Sequence, residues 1–331
     1  MKIEDLPKIE LHRHLELCVR HSTIKELAPH IGVELKSETD FSNRFLILEP
    51  MTDLQAVLGK FQDTQKLWSR LDWIERLAFE AVEDAVNENI RVLELRYAPT
   101  FITQGHPDLT FEDVHKSIVK GISNAEKRYP IAVGLICIIQ RTLPISVAQA
   151  VTEFALSHKE TFVGLDLADN EEGFDSKPFA PLFLEAKKQG LGITVHSGEA
   201  NVPNAPRYVK EAIEHLGADR IGHGVQIYRD QEIMKFVKDR NIALELCPTS
   251  NWLTQAVPNL ASHPFRQLFD FGIKTTINSD DPGIFNTDLN QEYRILNSQH
   301  NLGEAEFHLC NEWAFEASFI PKEKKQSVWK G

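Results

Sequence analysis

Lys8-Ile9-Glu10-Leu11-His12-Arg13-His14 decides how the rest of this chain is read. A short apolar run near the N-terminus ends in two histidines two residues apart, and side chains two apart share one face of a β-strand. Three more apolar runs end on polar groups in the same way: Val195-His196-Ser197-Gly198-Glu199, Ile221-Gly222-His223-Gly224 and Ile277-Asn278-Ser279-Asp280-Asp281-Pro282. Histidines and carboxylates delivered from strand ends are the material of a divalent metal site with a general acid/base beside it.

Working outward, the β-like runs number eight: Lys8–His14, Ile90–Ala98, Ile131–Ile139, Phe162–Ala168, Leu191–His196, Arg220–Gly222, Ile242–Leu246 and Ile273–Asn278. Between them, stretches such as Trp73–Glu88, Thr110–Tyr129, Ser146–His158, Phe179–Gln189, Ala205–Leu216, Asp230–Arg240 and His263–Phe271 repeat apolar residues every three or four positions, the helical pattern. This alternation predicts an α/β fold, a single (β/α)8 TIM barrel over residues 1–331. The polar motifs all fall at strand C-terminal ends, where barrel enzymes carry their active sites. The structural alternative, an open doubly wound sheet, would keep the first and eighth strands apart. Closure instead sets His12 and His14 beside Asp280. The stretch from about Ser22 to Arg70, inserted after the first strand, is long for a loop and contains Phe45-Leu46-Ile47-Leu48 and Leu54–Phe61. It is expected to form a helical cap over the barrel mouth, excluding water and wrapping an apolar ligand face.

The 331 residues carry a formal net charge of -12, which argues against nucleic-acid or anionic-membrane partners. The longest apolar run, Ile131–Ile139, is too short to span a bilayer and suits a buried parallel strand. The N-terminal MKIEDLPKIE has no signal-peptide core. Cys18, Cys137, Cys247 and Cys310 form no Cys-x-x-Cys pair and read as buried, reduced thiols. A cytoplasmic location is expected from these features. His21, His30, His106, His158 and His300 fall in polar stretches and are expected on the surface.

His12, His14 and His196 offer three nitrogen ligands and Asp280 a fourth, oxygen ligand. Such a nitrogen-rich, sulfur-free set favours Zn²⁺, although Fe, Co or Mn also suits it. The Ser197-Gly198 turn can aim the Glu199 carboxylate inward as a proton carrier. His223, between two glycines, reads as a non-ligating histidine that orients water. Asp281, displaced by one residue from Asp280, reads as a hydrogen-bonding partner for substrate.

At these residues the chain resembles the adenosine deaminase family of zinc-dependent amidohydrolases. The matching pieces are ELHRHLE near the start, GLDLADNE at Gly164–Glu171, TVHSGE at Thr194–Glu199, RIGHG at Arg220–Gly224, LCPTSN at Leu246–Asn251 and NSDDP at Asn278–Pro282. They run through nearly the whole chain in the family's order. No lysine stands at the fourth strand end, where relatives with two bridged metals carry a carboxylated one, so a single ion per subunit is expected. The resemblance implies that His12, His14, His196 and Asp280 hold Zn²⁺. It also implies that His223 and Asp280 orient and deprotonate the attacking water, that Glu199 protonates N1 of a 6-aminopurine, and that Asp281 hydrogen-bonds N7. Ammonia would leave to give the 6-oxo product.

Two positions depart from the family pattern. Glu16 keeps the acidic residue that resembles a ribose-hydroxyl contact, but the glycine that usually follows is Leu17. Asp169 stands where the family has a glycine whose backbone N–H approaches the purine edge. Asp169 keeps that N–H and adds a carboxylate, which could shift specificity. The expected substrate is therefore adenosine or deoxyadenosine, with adenine, a modified adenosine or aminodeoxyfutalosine as alternatives. A non-catalytic nucleoside-binding barrel, or an amidohydrolase acting on another amine or ester, fits Glu199, His223 and Asp281 less well. Oligomeric state has no signature in the sequence.

Overall fold

All eight runs form strands, each within a residue or two of the expected bounds. In this computed structural model, residues 2–51 and 54–330 are described, the side chains of 54–59 excepted. The strands are β1 (Lys8–His14), β2 (Ile90–Tyr97), β3 (Ala132–Gln140), β4 (Phe162–Ala168), β5 (Gly192–Ser197), β6 (Arg220–His223), β7 (Ala243–Leu246) and β8 (Lys274–Ile277). Each pairs in parallel with the next, in the order β1 to β8. Helices return the chain between strands, among them Leu71–Asn87, Phe111–Arg128, Ile145–Ser157, Ala180–Lys188, Ala205–Leu216, Gln231–Asp239 and Phe265–Phe271. This is the expected (β/α)8 barrel, nearly closed.

The ring closes at its C-terminal rim. His14 N–H donates to Asp280 O at 2.9 Å, and Asp280 N–H donates to His12 O at 3.1 Å. Below them the Asn278 side chain substitutes for ladder bonds, its Oδ1 accepting from Leu11 N–H at 2.9 Å. The first strand is also irregular. Strict alternation from His12 and His14 would turn Glu10 to the same face, but the register shifts between Glu10 and Arg13. Glu10 and Arg13 consequently meet, Arg13 Nε lying 2.6 Å from Glu10 Oε2, and Arg13 continues to Glu88 at 2.8 Å. Leu11 packs instead with Ile9, Val92, Ala132 and Ile320.

Charged side chains fill the middle of the barrel. Glu245 accepts four hydrogen bonds, from His12 Nδ1, Arg96, Thr194 and Arg220, at 2.6–2.9 Å. Arg96 also donates to Asp166 at 2.8 Å, and Arg220 donates to Glu94 at 2.6 Å. All are essentially inaccessible to water. Buried charges survive only when paired and hydrogen-bonded, as these are. Burial would raise the Glu245 carboxyl, but Arg96 and Arg220 outweigh it and hold the group ionised.

The C-terminal segment, for which the apolar pattern gave no expectation, plugs the barrel floor. It forms helices Leu289–His300, Glu304–Ala317 and Lys322–Val328. Between the last two, the Phe319 ring lies under the Arg220 guanidinium at 3.7 Å. A Cβ at Gly192 would come within 2.3 Å of that ring, and one at Gly164 within 2.8 Å, so these strand glycines make room for the plug.

The segment after β1 contains helices His21–Leu27, Glu38–Phe45 and Leu54–Gln65. Phe45, Leu46 and Ile47 are buried, while Leu48 is exposed. Within Leu54–Phe61, the side chains of 54–59 lie outside the described residues. The four cysteines are buried and unpaired, as expected. Among the described residues no helix is long and apolar enough to cross a membrane. One histidine corrects the surface expectation: His300 is buried, because its ring nitrogen is used by the Leu260 carbonyl at 2.8 Å.

Replacing Arg220 with methionine leaves Glu94 and Glu245 short of their shared cation. An uncompensated buried charge of this kind costs about 3–5 kcal/mol. Arg220→Met should lose stability of that order in urea unfolding, and a loss below about 1 kcal/mol, the range of an exposed pair, would contradict the buried-lattice reading.

Candidate active site

The strand ends deliver His12, His14, His196 and Asp280 to one point. His14 Nε2 lies 3.2 Å from His196 Nε2. Asp280 Oδ1 lies 3.2 Å from His12 Nε2 and 3.3 Å from His14 Nε2. His223 brings its Nε2 to the edge of the same cluster, 3.8 Å from Asp280 Oδ2 and 3.5 Å from Glu199 Oε2. Ligand atoms of His12, His196, His223 and Asp280 all fall within 4.8 Å of one another, and His14, Asp280 and Asp281 form an overlapping group.

This donor set fits a cation. His12 Nδ1 faces Glu245 Oε2 at 2.8 Å, and His196 Nδ1 faces Asp166 at 3.0 Å. A carboxylate only accepts, so both Nδ1 atoms carry protons and both Nε2 atoms present lone pairs to the centre. His12 Nε2 is buried and makes no hydrogen bond. It points at a carboxylate oxygen, and two acceptors at that distance need a positive charge between them. Burial would raise the Asp280 carboxyl, but positive charge on its His12 and His14 side, supplied by protons on those nitrogens or by a cation in their place, outweighs burial and holds Asp280 well below the usual range.

Backbone geometry serves the crowding. Gly222 leaves space its neighbours use: a Cβ there would sit 3.1 Å from His12 Cε1 and 3.2 Å from His196 Cα. The left-handed turn at Gly198 (φ 69) brings Glu199 round into the site. Left-handed φ also occurs at His223 (60), Asp280 (62) and Asp169 (81), where side chains make it costly.

Glu199 sits at the pocket wall, its Oε1 accepting from Thr254 Oγ1 at 3.0 Å. Burial, followed by repulsion from Asp280, pushes its carboxyl up to about 7. Burial and then the same neighbour push Asp281 far above the ordinary Asp value. Asp281 Oδ1 is buried with no hydrogen-bond partner. Glu16 gives Oε1 to Ala98 N–H at 2.6 Å, and its Oε2 is likewise buried and unpartnered. Burial raises Glu16 to about 7. The Asp169 side chain is exposed at the rim, accepting from Thr142. Leu17 joins the apolar wall of Ile47, Leu253, Ile284 and Phe285.

These groups border a pocket of about 520 Å³ lined by His14, Asp169, Glu199, Asp280 and Asp281, with Met51, Phe61 and Phe285 as its apolar side. The structure thus brings His12, His14, His196, His223, Glu199, Asp280 and Asp281 together. Glu16 and Asp169 border the adjoining recess with Leu17 and Phe101.

Sequence reading missed the residues that hold this set. Asp166 and Glu245 orient two histidines. Glu171 grips the Glu199 loop, accepting from the N–H groups of Gly198, Glu199 and Ala200 at 2.6–2.8 Å. Asn251 contacts His223 Nδ1 at 3.1 Å, and His263 contacts Asn251. A usable signal existed for Asp166 and Glu245: a lone acid inside a buried strand requires an inward partner. The helix expected over His263–Phe271 begins only at Phe265, because His263 turns inward to Asn251 ahead of it.

The Adenosine deaminase family profile matches residues 7–331. The adenosine deaminase of Plasmodium falciparum (isolate 3D7) is 33% identical over 327 residues, covering 98% of this chain and 88% of the relative. Among solved structures, an amidohydrolase from Burkholderia ambifaria with bound Zn superposes with a TM-score of 0.87 at 25% identity, covering 98% of this chain and 89% of that one. The N6-methyl-AMP deaminase of Arabidopsis thaliana superposes at 0.83 with 28% identity, covering 98% and 96%. With the family profile matching nearly the whole chain and a relative 33% identical across it, this chain belongs to the adenosine deaminase family as a hydrolytic deaminase.

Proposed function

We propose that this protein deaminates adenosine and deoxyadenosine to inosine and deoxyinosine, releasing ammonia, with one Zn²⁺ per chain held by His12, His14, His196 and Asp280. The observation that carries the reading is the convergence of those four groups on one point beside a Glu199 carboxyl pushed up to about 7. The bound zinc of the Burkholderia amidohydrolase supports the choice of metal. Such an ion supplies Lewis-acid activation of water near neutral pH.

The protein's own groups do the rest. Glu199 holds a proton near neutral pH and delivers it to purine N1, which makes C6 electrophilic. Left as a carboxylate by that transfer, Glu199 takes the attacking water's proton as the C6–O bond forms and passes it to the amino group as the C6–N bond breaks, so that ammonia leaves and the C6 hydroxyl's proton restores the Glu199 carboxyl. His223 and Asp280 face the water's position and orient it. Purine N7 only accepts hydrogen bonds, so its partner must donate. Asp281, kept protonated by burial and by Asp280, can do so through a carboxyl that makes only part of its hydrogen bonds in the protein. The Asp169 backbone N–H serves the other purine edge, and Glu16 Oε2 accepts from a sugar hydroxyl. The segment between Ser22 and Arg70 acts as the cap, its Met51 and Phe61 covering the apolar face of the base.

The pocket favours a nucleoside over a nucleotide. Asp169, Glu171, Glu172, Glu199, Asp280 and Asp281 line it, with no lysine or arginine among the described lining residues. A 5′-phosphate would find no guanidinium or ammonium group there to pair with it.

Ammonia release should be fastest for adenosine or deoxyadenosine in a panel with adenine, 5′- and N6-modified adenosines and AMP. AMP should fall behind by about 10²-fold or more in kcat/KM, since like-charge contacts cost several kcal/mol. A modified purine or AMP with the highest kcat/KM would overturn the substrate assignment. Glu199→Gln should lose about 10²–10⁴-fold in kcat, the share of a positioned proton carrier. Metal analysis should find one zinc per wild-type chain and a much reduced content in His12→Ala; an unchanged content would remove His12 from the ligand set.

A further inference from the structure

His223 poses a question that its position alone leaves open. Its Nε2 lies within the group of potential ligand atoms, so it could offer a lone pair to a cation or a proton to an oxygen. Which it offers depends on its tautomer, and the tautomer depends on what Nδ1 meets.

That partner can be traced to a donor of fixed identity. The backbone N–H of Phe265 donates to His263 Nδ1 at 3.1 Å. A backbone amide cannot reverse its role, so His263 Nδ1 is an acceptor. Burial pushes the His263 ring down to about 3, which keeps it neutral. A neutral imidazole with an accepting Nδ1 carries its proton on Nε2, and that atom lies 3.1 Å from Asn251 Oδ1. The amide oxygen is thereby directed to His263, and its NH₂ is left for His223 Nδ1 at 3.1 Å. All three side chains are buried, so water does not compete at these contacts.

We propose that Asn251, anchored through His263 to the Phe265 backbone, is a positioning residue that fixes His223 as its Nε2–H tautomer. His223 then turns a donor, and not a ligand lone pair, toward Glu199 Oε2 and Asp280 Oδ2, 3.5 and 3.8 Å away. The ligand set stays at His12, His14, His196 and Asp280. This inference rests on the deaminase reading for its catalytic consequence, but the proton's location can be read without turnover. A wrong tautomer at a catalytic histidine costs rate while leaving binding largely intact.

The test uses long-range ¹H–¹⁵N spectra of ¹⁵N-histidine-labelled full-length protein, zinc-loaded and metal-stripped, with His223 assigned through His223→Gln. The wild type should carry the His223 proton on Nε2 in both states. Asn251→Asp replaces the NH₂ donor with a second acceptor and should move the proton to Nδ1. It should lower kcat for adenosine by about 10²-fold, the lower end of what a positioned proton-transfer group supplies, with KM and zinc content little changed. His263→Phe frees the amide to turn and should give both tautomers. A wild-type proton on Nδ1 overturns the proposal, with no variant needed. So does an Asn251→Asp spectrum like that of wild type, or a loss of zinc that matches the loss of kcat. If the wild type deaminates no aminopurine, the functional reading fails while the spectra still decide the tautomer.

Discussion

Closure of the barrel between β1 and β8 is the constraint on which the rest depends. The two strands are joined at the rim by backbone hydrogen bonds of His12, His14 and Asp280, the residues whose side chains form the cluster. Ring closure and cluster geometry are therefore one event. A sheet that failed to close would separate the first-strand histidines from Asp280 and dismantle the site without disturbing any single strand. Left-handed backbone at Asp280 and His223 adds strain of about 1–3 kcal/mol each, which the surrounding packing must offset.

Beneath the rim, charge alternates in shells. Three imidazoles and a carboxylate face the centre. Behind two of the imidazoles stand Glu245 and Asp166, and Arg96 spans both carboxylates. Each shell fixes the protonation of the one above: the arginine keeps the acids ionised, the acids keep Nδ1 protonated, and Nε2 is left bare for a cation. Outside this column the sign of the argument reverses. Glu199 and Asp281 form no ion pair with an arginine among the described residues, and burial followed by repulsion from Asp280 raises both, so they can hold protons that Asp280 cannot. One wall of side chains thus supports two opposite roles for carboxylates, separated by whether positive charge beside the group outweighs its burial.

Much of this was legible in the sequence because barrel strands place their chemistry at predictable ends. Period-two spacing in His12 and His14, and polar groups terminating the fifth, sixth and eighth runs, sufficed to locate the cluster. What stayed hidden depended on partners distant in the chain. Glu94, Arg96, Asp166, Arg220 and Glu245 look like interruptions of apolar runs until the strands are laid side by side. The register shift at Glu10–Arg13 overrides the alternation from which the histidine face was read, because Glu10 and Arg13 gain each other by leaving it. Phe319 and Ile320 belong to no strand or crossover helix, so periodicity gave no reason to place them in the barrel floor. Asn251 stood in a quoted motif, but its role requires His263 and a backbone amide that no local pattern connects to it.

The rim closure also governs what incomplete chains can do. Translation makes β1 first, whereas its rim partner comes from the far end: Leu11 and Asn278 are 267 positions apart. A polypeptide released from the ribosome before Asp280 already holds both first-strand histidines, yet it has no eighth strand to gather them with the fourth group. Products that stop short of Asp280 lack both the closing hydrogen bonds and the carboxylate of the cluster. In this architecture the cluster is complete only once the eighth strand has been made.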